Sequence, residues 1–353
     1  MNTDPFTCIW LDTHQDRTPR VVLTANADYW NSERGPRLER VVFRNDLTPE
    51  EALRLVCDTE GEVDIVTEVL PIEAERVEAS QHARLVTTDA LRVVVGIINR
   101  DAAPFGDVRA RRALNLAVDR DRLIRETFLG YAHPTVALTP PHSAGGCKDR
   151  LPYSHDPGEA RGLLLYECGY PSERALRIAV LPGLEGVANL LADDLRASLG
   201  INVNVYAIRT PEALLAAQHA FVEKVLPQPF DVLVFNWFDL SADAPASFMH
   251  RQLYHSLGAF RAGPPIDKFE RLMAEYVRQT DPRKLNALDE EMDRLAYDQA
   301  LSIFLCAPRA LYAVNKHVRF VGHAATFEVA ETEVDDEHWS RRAGSTGQAS
   351  SPV

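Results

Sequence analysis

The chain has 353 residues, 46% of them hydrophobic, which is enough for two domains with cores of their own. Against 38 Lys and Arg stand 51 Asp and Glu, a formal charge of −13 with no long basic block. Nucleic acid and anionic membrane, which need clustered cations, are thereby excluded as partners.

From Pro19 to Arg44 two strands are expected, Val21-Val22-Leu23 and Val41-Val42-Phe43, around a polar loop with Gly35-Pro36. Thr48-Pro49-Glu50-Glu51 starts a helix, with Thr48 as cap, Pro49 in the first turn and Glu51 at the capping-box position. A short strand at Val63–Val66, a helix around Ile72–Ser80 and a strand at Arg92–Asn99 follow. Asp107 then caps a dense helix-forming run that reaches Ile124 without Gly or Pro. Its apolar stripe is Leu114, Ala117, Val118 and Ile124, and its arginines are expected to face elsewhere.

Asp156-Pro157-Gly158-Glu159 is a second capping box, and Gly169 ends that helix in the manner of a left-handed cap. Next come a strand at Leu176–Leu181, an amphipathic helix stopped by Gly200, a strand at Ile201–Ile208, a helix at Pro211–Ala220 and a strand at Phe230–Trp237. Crossovers of this length make parallel strands. Two helices at Ile266–Gln279 and Asp281–Ala300 lead to a strand at Leu301–Cys306. The alternation predicts an α/β class with mixed sheets.

Several segments carry a family likeness. Pro104-Phe105-Gly106-Asp107-Val108-Arg109-Ala110-Arg111-Arg112-Ala113-Leu114-Asn115-Leu116-Ala117-Val118-Asp119-Arg120 is the loudest of them. It is joined, in order, by Asn26-Ala27-Asp28-Tyr29-Trp30, Gly61-Glu62-Val63-Asp64-Ile65, and His155-Asp156-Pro157 through Cys168-Gly169-Tyr170-Pro171. Leu199-Gly200-Ile201-Asn202-Val203 and Phe230-Asp231-Val232 complete the series. Together they resemble the family 5 extracytoplasmic solute-binding proteins, the peptide- and nickel-binding components of ABC importers.

The resemblance implies a two-lobed, periplasmic-binding-protein-like (type II) α/β fold with a hinge near Asn99–Phe105 and Cys306. Residues 1–103 and 301–340 would be the remaining part of an incomplete lobe I, residues 104–300 the ligand-binding lobe II, and 341–353 a disordered tail. It also implies a non-enzymatic protein that closes over a peptide-like or other small solute and passes it to an ABC permease, outside the cytoplasm.

The strong enzyme signatures (Gly-x-Ser-x-Gly, a Walker loop, GxGxxG, HExxH) are absent. His250 and His255 lie five apart, which does not suit one helix face, so rim histidines are expected rather than a metal site. Cys147 with His142 or His155 would need spatial pairing to act as nucleophile and base. The Arg109-Arg111-Arg112 cluster is read as a solvated face paired with Asp119, Asp121 and neighbouring acids. No cofactor is expected. The five cysteines, Cys8, Cys57, Cys147, Cys168 and Cys306, are scattered and read mostly as small core residues.

The binding candidate is Phe235-Asn236-Trp237-Phe238-Asp239-Leu240-Ser241-Ala242-Asp243-Ala244-Pro245, just past a parallel strand, where open α/β sheets bind ligands. Asn236, Trp237, Phe238, Asp239 and Asp243 are the site residues. An aromatic wall beside a carboxylate suits an ammonium-bearing, partly apolar ligand. The segment resembles the family's Trp-x-x-Asp-x-x-Asp-Pro turn, whose first aspartate pairs with the ligand's amino terminus. Spacing leaves Asp239 and Asp243 as rival anchors.

No apolar run exceeds strand length, so no membrane insertion is expected, and Met1-Asn2-Thr3-Asp4-Pro5 shows no basic-then-apolar leader. With the unpaired cysteines this leads to a cytoplasmic expectation if Met1 is the true start. A cytoplasmic ligand-sensing or interaction module, or a truncated or split solute-binding protein, therefore stands as the alternative. Self-association through the incomplete lobe I is expected in the last case.

Overall fold

The computed structural model describes residues 6–11, 19–31, 33, 35–143, 145–210, 212–213, 216, 230–238, 247–258, 260–323 and 327–342, with backbone alone for 6–11, 237, 238 and 247. Two compact units result, residues 1–89 with 310–353, and residues 90–309.

Unit 1 opens with an antiparallel sheet of β1 (Phe6–Leu11), β2 (Arg20–Ala25) and β3 (Arg40–Arg44), in that order. The strand β1 was not foreseen. Helix α1 (Pro49–Asp58) begins as the sequence dictates, with Thr48 Oγ1 accepting from the Glu51 N–H at 3.2 Å. Then come β4 (Ile65–Val66), α2 (Ala74–Glu78) and β5 (Ala83–Asp89). The Gly61–Ile65 motif has a structural purpose. Asp64 Oδ1 takes the Trp339 indole N–H at 2.9 Å and contacts His338 Nε2 at 3.1 Å, while Arg342 pairs with Glu60. The segment expected to start the loose tail is thus clipped to the motif as far as Arg342. Residues 343–353 lie outside the described residues.

Unit 2 is built on a mixed sheet. Strand β6 (Arg92–Ile98) runs antiparallel to β10 (Val232–Phe238), which is parallel to β8 (Leu176–Val180), itself parallel to β9 (Val203–Ala207). On the other side β6 pairs with β11 (Ser302–Asn315), and β7 (Ala132–Pro134) pairs with β11 in turn. The parallel strands fall where the crossover argument puts them. Helix α6 (Glu185–Leu199), against which the short α5 (Pro157–Arg161) packs, covers one face through Val187, Leu191 and Leu195, and ends at Gly200 with φ +70°. Helices α7 (Ser247–Tyr254), α8 (Asp267–Tyr276) and α9 (Pro282–Asp298) cover the other. Most of the helix expected at Pro211–Ala220 lies outside the described residues.

Three expectations are corrected. The long helix after Asp107 is two helices, α3 (Val108–Leu116) and α4 (Arg120–Thr127). The break comes from Asp119, whose carboxylate accepts from the Arg122 N–H at 2.9 Å and so caps a fresh start. The strand at Leu301–Cys306 is a 14-residue strand, its second half being buried in unit 1. Finally, the chain passes between units at Asp89/Ala90 and Arg309/Ala310, not at 103/104 and 300/301. Strand β6 and the first half of β11 are nearly all buried in the unit 2 sheet and cannot be divided from it.

Of the arginines expected on a solvated face, Arg109 and Arg112 are exposed and Arg111 is not. Arg111 and Arg120 are buried. Arg111 donates to the Gln299, Phe105 and Gly106 carbonyls at 2.7–3.0 Å. Arg120 donates to the Phe304 carbonyl at 2.6 Å and to Asn115. Asn115, fully buried, donates to the Ser302 carbonyl at 2.9 Å and accepts from the Phe304 N–H at 3.1 Å. The run therefore clips β11 to the helices. Arg109 pairs with Asp107 and Glu167, and Arg122 with Glu126 and Asp194, rather than with Asp119 or Asp121.

Candidate ligand-binding site

The C-terminal ends of β8, β9 and β10 lie side by side at one edge of the unit 2 sheet. There the Leu181 N–H reaches the Val234 carbonyl at 3.4 Å and the Ile208 N–H reaches the Val180 carbonyl at 2.9 Å. Gly183, at φ +84°, turns the chain after β8, and its N–H donates to Glu185 Oε2 at 2.8 Å. Antiparallel pairing puts Arg92 opposite Phe238 at this edge, and β11 runs toward it from Ser302.

Asn236 sits in the last turn of the β10 ladder, opposite Val94. Its Oδ1 is shut off from solvent and accepts no hydrogen bond. An amide oxygen buried without a donor costs about 1–3 kcal/mol, so it is an unusual thing to keep. Phe235, pointing to the opposite face, packs on Phe260 with ring centroids 5.3 Å apart. Trp237 and Phe238 continue the strand, opposite Val93 and Arg92. Asp239 and Asp243 lie outside the described residues. The structure thus brings Asn236, Trp237 and Phe238 to the C-terminal edge of the parallel strands. The turns after β8 and β9 share that edge and were not singled out, although their strand assignments already contained the signal.

The other candidates separate. The Cys147 thiol donates to Asp149 Oδ1 at 3.1 Å, and burial, reinforced by that carboxylate, pushes its pKa up to about 12. A nucleophile needs the reverse. His155 Nε2 instead faces Ser198 Oγ at 3.2 Å. His250 is no rim histidine: it is fully buried, 2.5 Å from Asp293, while His255 meets Glu270 at 3.0 Å. Among the described residues no cluster of His, Cys, Asp and Glu could hold a metal ion.

Comparison with known proteins now places the chain. The family "Bacterial extracellular solute-binding proteins, family 5 Middle" matches residues 11–256. The chain belongs to this family. Its relatives include the probable di/tripeptide-binding protein 5 of Pseudomonas aeruginosa, 25% identical over 84% of this chain and 55% of that protein. The periplasmic oligopeptide-binding protein OppA of Escherichia coli is 24% identical over 78% of this chain and 51% of its own length. The chain therefore spans about half the length of the curated relatives it matches.

Among solved structures, the ABC transporter substrate binding protein CtaP of Listeria monocytogenes superposes with a TM-score of 0.79 at 17% identity. It covers 94% of this chain and 66% of its own. The periplasmic binding protein DppA of Helicobacter pylori, in complex with the peptide STSA, gives 0.68 at 21% identity, over 94% and 62%. NikA of Brucella suis, in complex with Fe(III)-EDTA, gives 0.76 at 18%, over 94% and 68%. The mixed α/β fold of periplasmic binding proteins is shared. These likenesses establish fold and not ligand, since the neighbours hold different cargo.

Proposed function

We propose that this chain binds a peptide-like solute with a free ammonium group, unchanged, for delivery to an ABC permease outside the cytoplasm. The family and the di/tripeptide- and oligopeptide-binding relatives support the class of cargo. The observation that carries the reading is Asn236 Oδ1, a buried acceptor with no donor, at the C-terminal edge of the parallel strands. A ligand N–H would satisfy it. The carboxylate of Asp239, with Asp243 as the rival, would meet the ammonium, and Trp237 and Phe238 would supply the apolar wall. Because the solute leaves unaltered, no nucleophile or general base is required. The reading fits a segment in which the partners of Cys147 and His155 are structural.

The test is calorimetric titration of the chain with a panel of dipeptides and tripeptides, beside their N-acetylated forms. Saturable binding that acetylation weakens by 10-fold or more is expected, as for loss of a charge-assisted hydrogen bond of about 1.5–3 kcal/mol. Equal binding of the acetylated forms, or none by any peptide, rejects the reading.

A further inference from the structure

At the opposite end of β10 from Asn236, a buried guanidinium nitrogen of Arg100 has no acceptor among the described residues. Arg100 follows β6, where the Asn99 N–H donates to the Asp231 carbonyl at 2.9 Å and the Arg100 N–H to the Ala262 carbonyl at 3.4 Å. The residue is 8% exposed, and Nη2 is closed off from solvent with no acceptor. Arg111, Arg174 and Arg177, all nearby, are matched. Arg111 has its three carbonyls, and Arg174 and Arg177 share the buried Asp231 at 2.6 and 3.1 Å. The adjacent acid, Asp101, is exposed and contributes only a weak favourable field, without an ion pair to Arg100.

The surroundings make the imbalance worse. Burial above all, then the fields of Arg111 and Arg261, bring the Arg100 pKa down to about 10. The wall on one side is backbone. A Cβ on Gly263, at φ +121°, would come within 2.5 Å of Arg100 Cβ and 3.1 Å of its Nε, so only glycine fits. Tyr254, fully buried, does not accept from Arg100. It shares its hydroxyl with Ser302 Oγ at 2.9 Å. A buried guanidinium that keeps its charge without a partner is strongly unfavourable, and a planar fork of donors matches two oxygens of one anion.

We propose that Arg100 anchors a site for a small oxyanion (a carboxylate, phosphate or sulfate group), with Arg261 adding to the attraction, at the sheet end remote from Asn236. The site is independent of the peptide reading. An anion bound there would stabilise the folded chain by mass action.

The experiment is thermal unfolding of the whole chain at fixed ionic strength, with acetate, phosphate or sulfate replacing chloride, for the wild type and Arg100→Met. In the wild type at least one anion raises the midpoint by several degrees along a saturating curve, and Arg100→Met flattens that curve. The anion that acts tells which oxyanion the site takes. An equal rise in both proteins marks a general salt effect and overturns the proposal, as does no rise in the wild type. Should Arg100→Met fail to fold, titration calorimetry of sodium phosphate, sulfate and acetate into the wild type decides. Saturation by one of them near one equivalent supports the site, and no saturable heat with any of them overturns it.

Discussion

The α3–α4 run and the end of β10 make opposite use of buried polar groups. Around α3 and α4 every donor and acceptor of the central network is matched. Asn115 joins the Ser302 carbonyl and the Phe304 N–H, and Arg111 and Arg120 hold the Gln299 and Phe304 carbonyls. At Asn236 a buried amide oxygen has nothing to accept. A satisfied network fixes one structure, whereas an unsatisfied one leaves room for something else to complete it. The segment most recognisable in the sequence is therefore architecture, and the quieter one is where a ligand would gain most.

The comparison fails at once if Asn115 is dispensable. Asn115→Leu is close in volume but strands the Phe304 N–H, the Ser302 carbonyl and part of Arg120 in the interior. Loss of about 3–5 kcal/mol of stability is expected in denaturant titration, as for breaking a buried network. Peptide affinity of whatever remains folded should be unchanged. The converse holds past β10, where Asp239→Asn should leave the unfolding midpoint in place and weaken peptide binding by about 1.5–3 kcal/mol. If only Asp243→Asn weakens it, the anchor moves to that residue.

Legibility followed locality. Caps were readable because they need only three or four residues: Thr48, Asp107 and Asp156 each take the N–H that the sequence assigns them. The parallel order of β8, β9 and β10 followed from crossover length. What sequence could not show was long-range pairing. Nothing near Arg111 announces that its acceptor is the Gln299 carbonyl, nor does Gly61-Glu62-Val63-Asp64 announce Trp339. The surface assignment of Arg111 failed for the same reason, since a guanidinium satisfied by distant carbonyls is invisible to helical periodicity. Of the site, the strand position of Asn236 and Trp237 was legible, while the run of the strand through Phe238 and the orphaned oxygen needed coordinates.

A smaller effect sharpens the contrast at Asn236 itself. Asn236→Leu removes an acceptor that has no donor, so stability should hold or rise by up to about 1 kcal/mol, in contrast to Asn115→Leu. Peptide affinity should fall by about 1 kcal/mol, the usual net value of one hydrogen bond. If affinity is untouched, the unpaired oxygen is unrelated to ligand, and the proposed site loses the observation that carries it.

The smallest effect concerns the division of the α3–α4 run. The Asp119 carboxylate caps α4 through the Arg122 N–H at 2.9 Å, and the Asp119 N–H donates to Asp194 at 3.0 Å. Asp119→Ala removes the first bond and leaves the second, because the backbone N–H stays in place. A loss of about 1 kcal/mol is expected, the ordinary worth of an N-cap, well below that of Asn115→Leu. The two should combine additively if cap and network are separate devices. Coupling beyond about 0.5 kcal/mol in the double variant would mean that the break between the helices is itself part of the clip on β11. Asp119 is close enough for that, since the Asn115 carbonyl and the Val118 carbonyl both accept from Arg120 across the break.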